Sequence, residues 1–309
     1  KAVNAAGDSV ASTSVTAIPR TIPGAPTAVV GTTGNTQVSL TWSAPTSDGG
    51  NAITDYKIEY SSNAGSTWST FAHSATSATS ATVTGLTNGT SYTFRVSAIN
   101  AAGTSSPSAV SAAVTPYTTA GAPTAVSGVA GSSQVSLSWS APTSNGGSAI
   151  TDYQIEYLPA GGSWTVFADG TSTATSATVT GLTAGTSYTF RVSAINAAGT
   201  SSPSTVSAAV TPYTMPDAPT SLVATPGNTQ ISIAFTPGAN GGSAITNYKY
   251  SLDGTNYTAF SPATTTSPVV ITGLTNGTSY TIYLKAVNAA GDSVASTSVT
   301  AIPRTIPGA

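Results

Sequence analysis

Short stretches of this chain alternate polar and apolar residues. Gln37-Val38-Ser39-Leu40-Thr41-Trp42-Ser43, Asp55-Tyr56-Lys57-Ile58-Glu59-Tyr60 and Ser91-Tyr92-Thr93-Phe94-Arg95-Val96-Ser97-Ala98 all keep a period of two. That period places one set of side chains inward and the other toward solvent, as in half-buried antiparallel strands, and it excludes helices there. Between the strands lie clusters such as Ala44–Asn51 (APTSDGGN) and Ser61–Thr67 (SSNAGST). Their Gly, Asn, Pro and Ser residues supply the backbone angles that turns require.

The pattern recurs. Ala81–Thr118 returns at Ala177–Thr214 with only Asn88→Ala184 and Ala109→Thr205 exchanged, and a more diverged copy runs from Pro268 to Pro303. Pro26, Pro123 and Pro219 mark the same place in three consecutive units. Lys1–Ala25 also recurs unchanged as Lys285–Ala309, so the chain reads as a window on a longer array. About seven short strands per unit predict an all-β chain of tandem two-sheet sandwiches strung into an extended array.

Composition narrows the function classes. Charged residues make up 6% of the chain, whereas roughly a quarter is usual. Eight basic residues against ten acidic ones leave no basic stripe for nucleic acid and no polybasic cluster for an anionic membrane. No stretch is apolar for long enough to span a bilayer. Even so, 13 Tyr, 4 Trp and 6 Phe, with many Val and Ile, are ample to fill cores. Cys is absent, which removes disulfides, thiolate zinc sites and cysteine nucleophiles.

At certain positions the units become specific. Trp42, Tyr56, Ile58, Leu86, Tyr92, Phe94 and Val96 in the first unit return as Trp139, Tyr153, Ile155, Leu182, Tyr188, Phe190 and Val192. The third unit carries Phe235, Tyr248, Tyr250, Leu274, Tyr280, Ile282 and Leu284. A Trp on the second strand, Tyr-x-Ile on the third, Gly-Leu before Gly-Thr-x-Tyr and Tyr-x-Phe-x-Val on the sixth resemble fibronectin type III domains. The resemblance implies immunoglobulin-like, seven-stranded sandwiches with the Trp in the core and the Tyr after the Gly-Thr turn as a tyrosine corner. Residues 1–22 then read as the last two strands of a preceding domain, 23–116, 117–213 and 214–306 as three domains, and 307–309 as the start of a linker. Residues 1–20 would be completed by a neighbouring piece of the same polymer or by a strand from another chain.

Candidate chemistry is sparse. His73 stands alone and reads as a solvated loop residue, with no base beside a hydroxyl to make a nucleophile. Asp48 and Asp55 fall short of the oxygens calcium wants and are read as part of a Gly-Gly turn, so no metal, cofactor or catalytic residue is expected. Asn88, Asn256 and Asn276 open glycosylation sequons. Outward-facing Glu59 with Arg95, and Glu156 with Arg191, suggest cross-strand pairs, while Tyr283 is placed to cover the stem of Lys249. Trp68, Trp164 and Tyr257 lie outside the core markers and are candidates for exposed contacts.

The sequence thus points to a non-enzymatic structural repeat protein, extracellular or at the cell surface, forming a rod, stalk or filament. Its expected partners are neighbouring repeats of the same polymer, and surface glycans if it adheres. Two other readings remain: spacer repeats of a secreted polysaccharide-degrading enzyme, and a glycan-binding adhesin.

Overall fold

The computed structural model describes residues 1–305, and the expected linker at 307–309 lies outside the described residues. The chain divides into two compact units, Lys1–Ala120 with Ser144–Ala149, and Gly121–Thr143 with Ile150–Ala309.

The first unit begins with a minimal hairpin of β1 (Val3–Asn4) and β2 (Gly7–Asp8). Residues 1–22 are exposed throughout and form no other strand. Two strands without a sheet to pack on bury too little to extend further. The sandwich follows as β3 (Thr27–Gly34), β4 (Gln37–Ser43), β5 (Asp55–Ser61), β6 (Ser69–Phe71), β7 (Ser80–Thr84), β8 (Thr93–Asn100) and β9 (Gly103–Thr104). One antiparallel sheet has the order β3-β4-β7 and the facing sheet β6-β5-β8-β9. Alternation decides what fills the space between them: Val38, Leu40 and Trp42 from β4 meet Tyr56 and Ile58 from β5 and Phe94 and Val96 from β8.

The second unit holds two more sandwiches. The first has β10 (Thr124–Gly131), β11 (Gln134–Ser140) and β14 (Ser176–Thr180) in one sheet. Its partner sheet contains β12 (Asp152–Pro159), β13 (Thr165–Phe167), β15 (Tyr188–Asn196) and β16 (Gly199–Thr200). The second pairs β17 (Thr220–Gly227), β18 (Gln230–Thr236) and β21 (Val269–Thr272). Opposite lie β19 (Asn247–Ser251), β20 (Thr258–Ala259), β22 (Tyr280–Asn288), β23 (Gly291–Asp292) and β24 (Val299–Ala301). Its core is Ile231, Ile233, Phe235, Tyr248, Ile271, Ile282 and Leu284.

The seventh strand differs from expectation. After β9 the chain runs beside β8 with a period of three, and serine hydroxyls do the work of backbone carbonyls. Phe94, Val96 and Ala98 donate their amides to the Oγ atoms of Ser111, Ser108 and Ser105 at 2.9–3.1 Å. The same serines return their own amides to the carbonyls of Phe94, Val96 and Ala98. Ser201, Ser204 and Ser207 repeat this ladder against β15. In the third sandwich only Ser293 and Ser296 occur, Val299 stands where the third serine would be, and there the chain becomes the regular strand β24.

Candidate functional site

Each sandwich carries its marker residues inward. Trp42, Tyr56, Leu86 and Tyr92 are buried, as are Trp139, Tyr153, Leu182 and Tyr188, and Phe235, Tyr248 and Leu274. Tyr280 is half-buried. Trp42 meets Tyr56 edge-on at 5.1 Å, Trp139 meets Tyr153 at 5.4 Å and Phe235 meets Tyr248 at 4.7 Å. Burial raises the pKa of Tyr153 and Tyr248, so these phenols stay neutral. The hydroxyls of Tyr92, Tyr188 and Tyr280 accept from the amides of Thr87, Thr183 and Thr275 at 3.0–3.1 Å, pinning the corner before β8, β15 and β22. These residues close the core, Tyr280 from its margin.

Trp139 Nε1 is buried without a hydrogen-bond partner among the described residues. An orphan donor of this kind costs about 1–3 kcal/mol, and Phe235 fills the corresponding place in the third sandwich without one. Trp139→Phe should therefore change stability by less than about 1 kcal/mol, lost ring volume being offset by relief of the buried N–H. Urea denaturation checks it, and a loss comparable to a core truncation would contradict it.

The outer face of the larger sheet gathers the charges. Glu59 sits between Lys57 and Arg95, at 2.8 Å from each. Burial opposes its ionised form, yet the hydrogen bonds from Lys57 and Arg95 outweigh that and hold the carboxyl below its ordinary value. Glu156 receives Arg191 through two bonds of 2.7 and 2.9 Å. Over these guanidinium groups lie the indoles: Arg95 is 4.3 Å from the Trp68 ring and Arg191 is 4.2 Å from Trp164. In the third sandwich Lys285 lies 4.4 Å over Tyr257. Trp68, Trp164 and Tyr257 are thus half-buried, each with a cation against its ring, and the Tyr257 hydroxyl is itself buried. Tyr283 and Lys249 each have a partner in the structure. Tyr283 lies against the turn at Gly254, and Lys249 pairs with Asp292 at 2.8 Å.

The loop residues are occupied by the backbone. His73 is not solvated: Nε2 faces the Tyr56 carbonyl at 2.8 Å, Nδ1 faces that of Ser74 at 2.9 Å, and the ring stacks on Phe71. Asp48 accepts from Gly50 N and Asp55 from Thr76 N. No cluster of three metal-ligating side chains occurs among the described residues. Asn88 and Asn276 tie their loops to the first hairpin of the sandwich through Thr36 N and Thr229 N. Asn256 is bonded to Asp253, whose carboxylate also accepts from Thr255 N and Ser251 Oγ and is held far below its ordinary pKa.

Asp169 takes the place of His73 in the second sandwich. Partial shielding of its carboxyl from water, and then the like charge of Asp152, raise its pKa. A raised folded-state pKa stabilises below the unfolded value and is lost as pH climbs through the folded one. Asp169→Asn should accordingly raise the melting temperature of this sandwich at pH 7 and leave it nearly unchanged at pH 3. An equal shift at both pH values would contradict the assignment.

Sequence reasoning missed two sets of residues. The serines of the ladder announce themselves only by a spacing of three in GTSSPSAVS. Asn100 and Asn288 sit in a recurring Asn-Ala-Ala-Gly, and their side chains reach the segment ahead of their own sandwich.

A family model described as fibronectin type III domain matches residues 23–114, 121–210 and 217–302. Chitinase A1 of Niallia circulans is 39% identical over 186 residues, covering 56% of this chain and 25% of that protein. A Kelch domain-containing protein of Saccharolobus solfataricus is 33% identical over 120 residues, covering 38% and 16%. The chain spans a quarter or less of the length of these relatives. Among solved structures, the chicken CNTN1 FN1-FN3 domains are similar at 22% identity and a TM-score of 0.35, covering 91% of this chain and 99% of that one.

Proposed function

We propose, from the premise that this chain belongs to the fibronectin type III family, that it is a non-enzymatic spacer: a rod or stalk, extracellular or at the cell surface. The observation that carries this reading is the contrast between what repeats and what does not. Core aromatics, tyrosine corners and serine rungs recur from sandwich to sandwich, whereas His73, Asp169 and Asp253 each occur in one sandwich alone. A scaffold needs the first set in every link, and the reactive groups are tied down as turn and edge residues. Neighbouring repeats of the same polymer are its proposed partners. Small-angle scattering tests the reading: sandwiches of about 33 Å, the length of a ten-residue strand, set end to end give a maximum dimension of about 100 Å. A globular envelope would refute it.

The likeness to a chitinase supports a more specific form, in which the array separates the working parts of a secreted polysaccharide-degrading enzyme. Removing one sandwich from the full-length protein should then lower activity on insoluble polysaccharide and spare activity on soluble fragments. A second reading, adhesion to surface glycans, draws on the cation-backed rings of Trp68, Trp164 and Tyr257. Glycan-array binding lost in Trp68→Ala with Trp164→Ala supports it, and binding that is absent or unaltered removes it.

A further inference from the structure

We propose that Asn288 is a latch that stiffens the passage between the second and third sandwiches, and that Asn100 latches the segment ahead of the first sandwich in the same way. Two consecutive residues divide the passage. Tyr213 belongs to the sandwich behind it: its amide bonds to the Gly131 carbonyl and its carbonyl accepts from Ser133 N. Thr214 belongs to the sandwich ahead, donating its amide to the Gly241 carbonyl at 2.7 Å. No residue between them is free to act as a hinge.

Asn288, at the end of β22, holds this arrangement. Its Nδ2 donates to the carbonyls of Thr214 and Asn240, both at 2.8 Å, while Oδ1 accepts from Ala290 N. The residue is 5% exposed, so its bonds compete little with water. One amide thereby joins the linker, the Asn240 loop and the last hairpin of the third sandwich.

Beside the latch, two glycines meet. A Cβ on Gly242 would come within 2.7 Å of Gly185 N and 2.9 Å of the Pro212 carbonyl, and its φ of +85° already suits only glycine well. Contact this close fixes the separation of the two backbones.

Asn100 makes the same bonds to the carbonyls of Thr21 and Asp48, at 2.9 and 2.7 Å. Because the bridging group is a neutral side-chain amide, the latch calls for no bound cation.

The chain lacks cysteine, so Ser136→Cys with Ala234→Cys gives one defined spin-label pair across the passage. Pulsed electron resonance should show a narrow distance distribution, unchanged by a chelator. Asn288→Asp keeps the acceptor for Ala290 N and removes both donors. It should broaden the distribution to roughly twice its parent width while β22 amides keep their hydrogen-exchange protection. Gly242→Ala, which touches no core residue, should shift the mean distance whether or not Asn288→Asp folds. A broad parent distribution, broadening by chelator, or an unaltered distribution in a folded Asn288→Asp would overturn the proposal. If Asn288→Asp unfolds the third sandwich, an unaltered mean in Gly242→Ala overturns it.

Discussion

Phe94→Ala is expected to destabilise the first sandwich by about 3–5 kcal/mol, a large part of the roughly 5–15 kcal/mol that holds an ordinary domain together. Phe94 is fully buried on β8, where it packs in one cluster with Leu40, Trp42, Ile58 and Val96. Truncation leaves a cavity that strands locked in register from both sides close only in part. Because each sandwich has its own core, the loss should stay local. Calorimetry should show one transition moving to lower temperature while the heat absorbed by the second and third sandwiches keeps its place. Concerted melting of the whole chain at a single lowered temperature would contradict independent cores.

Ser204→Ala should cost the second sandwich about 1–3 kcal/mol, more than an exposed serine has any reason to. Ser204 Oγ accepts from the buried amide of Val192 at 3.1 Å and donates to the Thr205 carbonyl at 2.8 Å. Alanine keeps the backbone bond to the Val192 carbonyl but leaves the Val192 N–H facing a methyl group. An unpaired buried donor bears its full desolvation penalty. Urea denaturation measures the loss, and hydrogen exchange at Val192 should accelerate more than at the neighbouring Ser193. Unchanged stability would mean that water or a shifted backbone replaces the hydroxyl without cost.

Strands and cores were legible because alternation is a direct image of a two-faced sheet. Val38, Leu40 and Trp42 fall inward for the same reason that Ser39 and Thr41 fall outward. The larger sheet gave up its charged pairs as well, since Glu59 and Arg95 stand directly opposite in the register of β5 and β8. What stayed hidden depends on partners distant in sequence. Nothing near His73 shows that its ring will find the Tyr56 carbonyl, and nothing near Trp68 shows that Arg95 will lie across its indole. Asn100 looks like an ordinary turn residue until the chain brings Thr21 and Asp48 to it. The serine ladder escaped for another reason: a period of three belongs to neither helix nor strand, and a Ser-rich run containing proline reads as loop.

That ladder bears on a hazard specific to near-identical tandem sequences. Adjacent copies share almost every residue of their outermost segment, so during synthesis one copy is always within reach of its twin's bare rim, where wrong pairing begins. The serine hydroxyls and amides turn inward to cap that rim, and between them Pro107 and Pro203, both exposed, offer no N–H to an incoming chain. In the first two sandwiches this rim therefore presents fewer free donors to a look-alike neighbour than an open strand would.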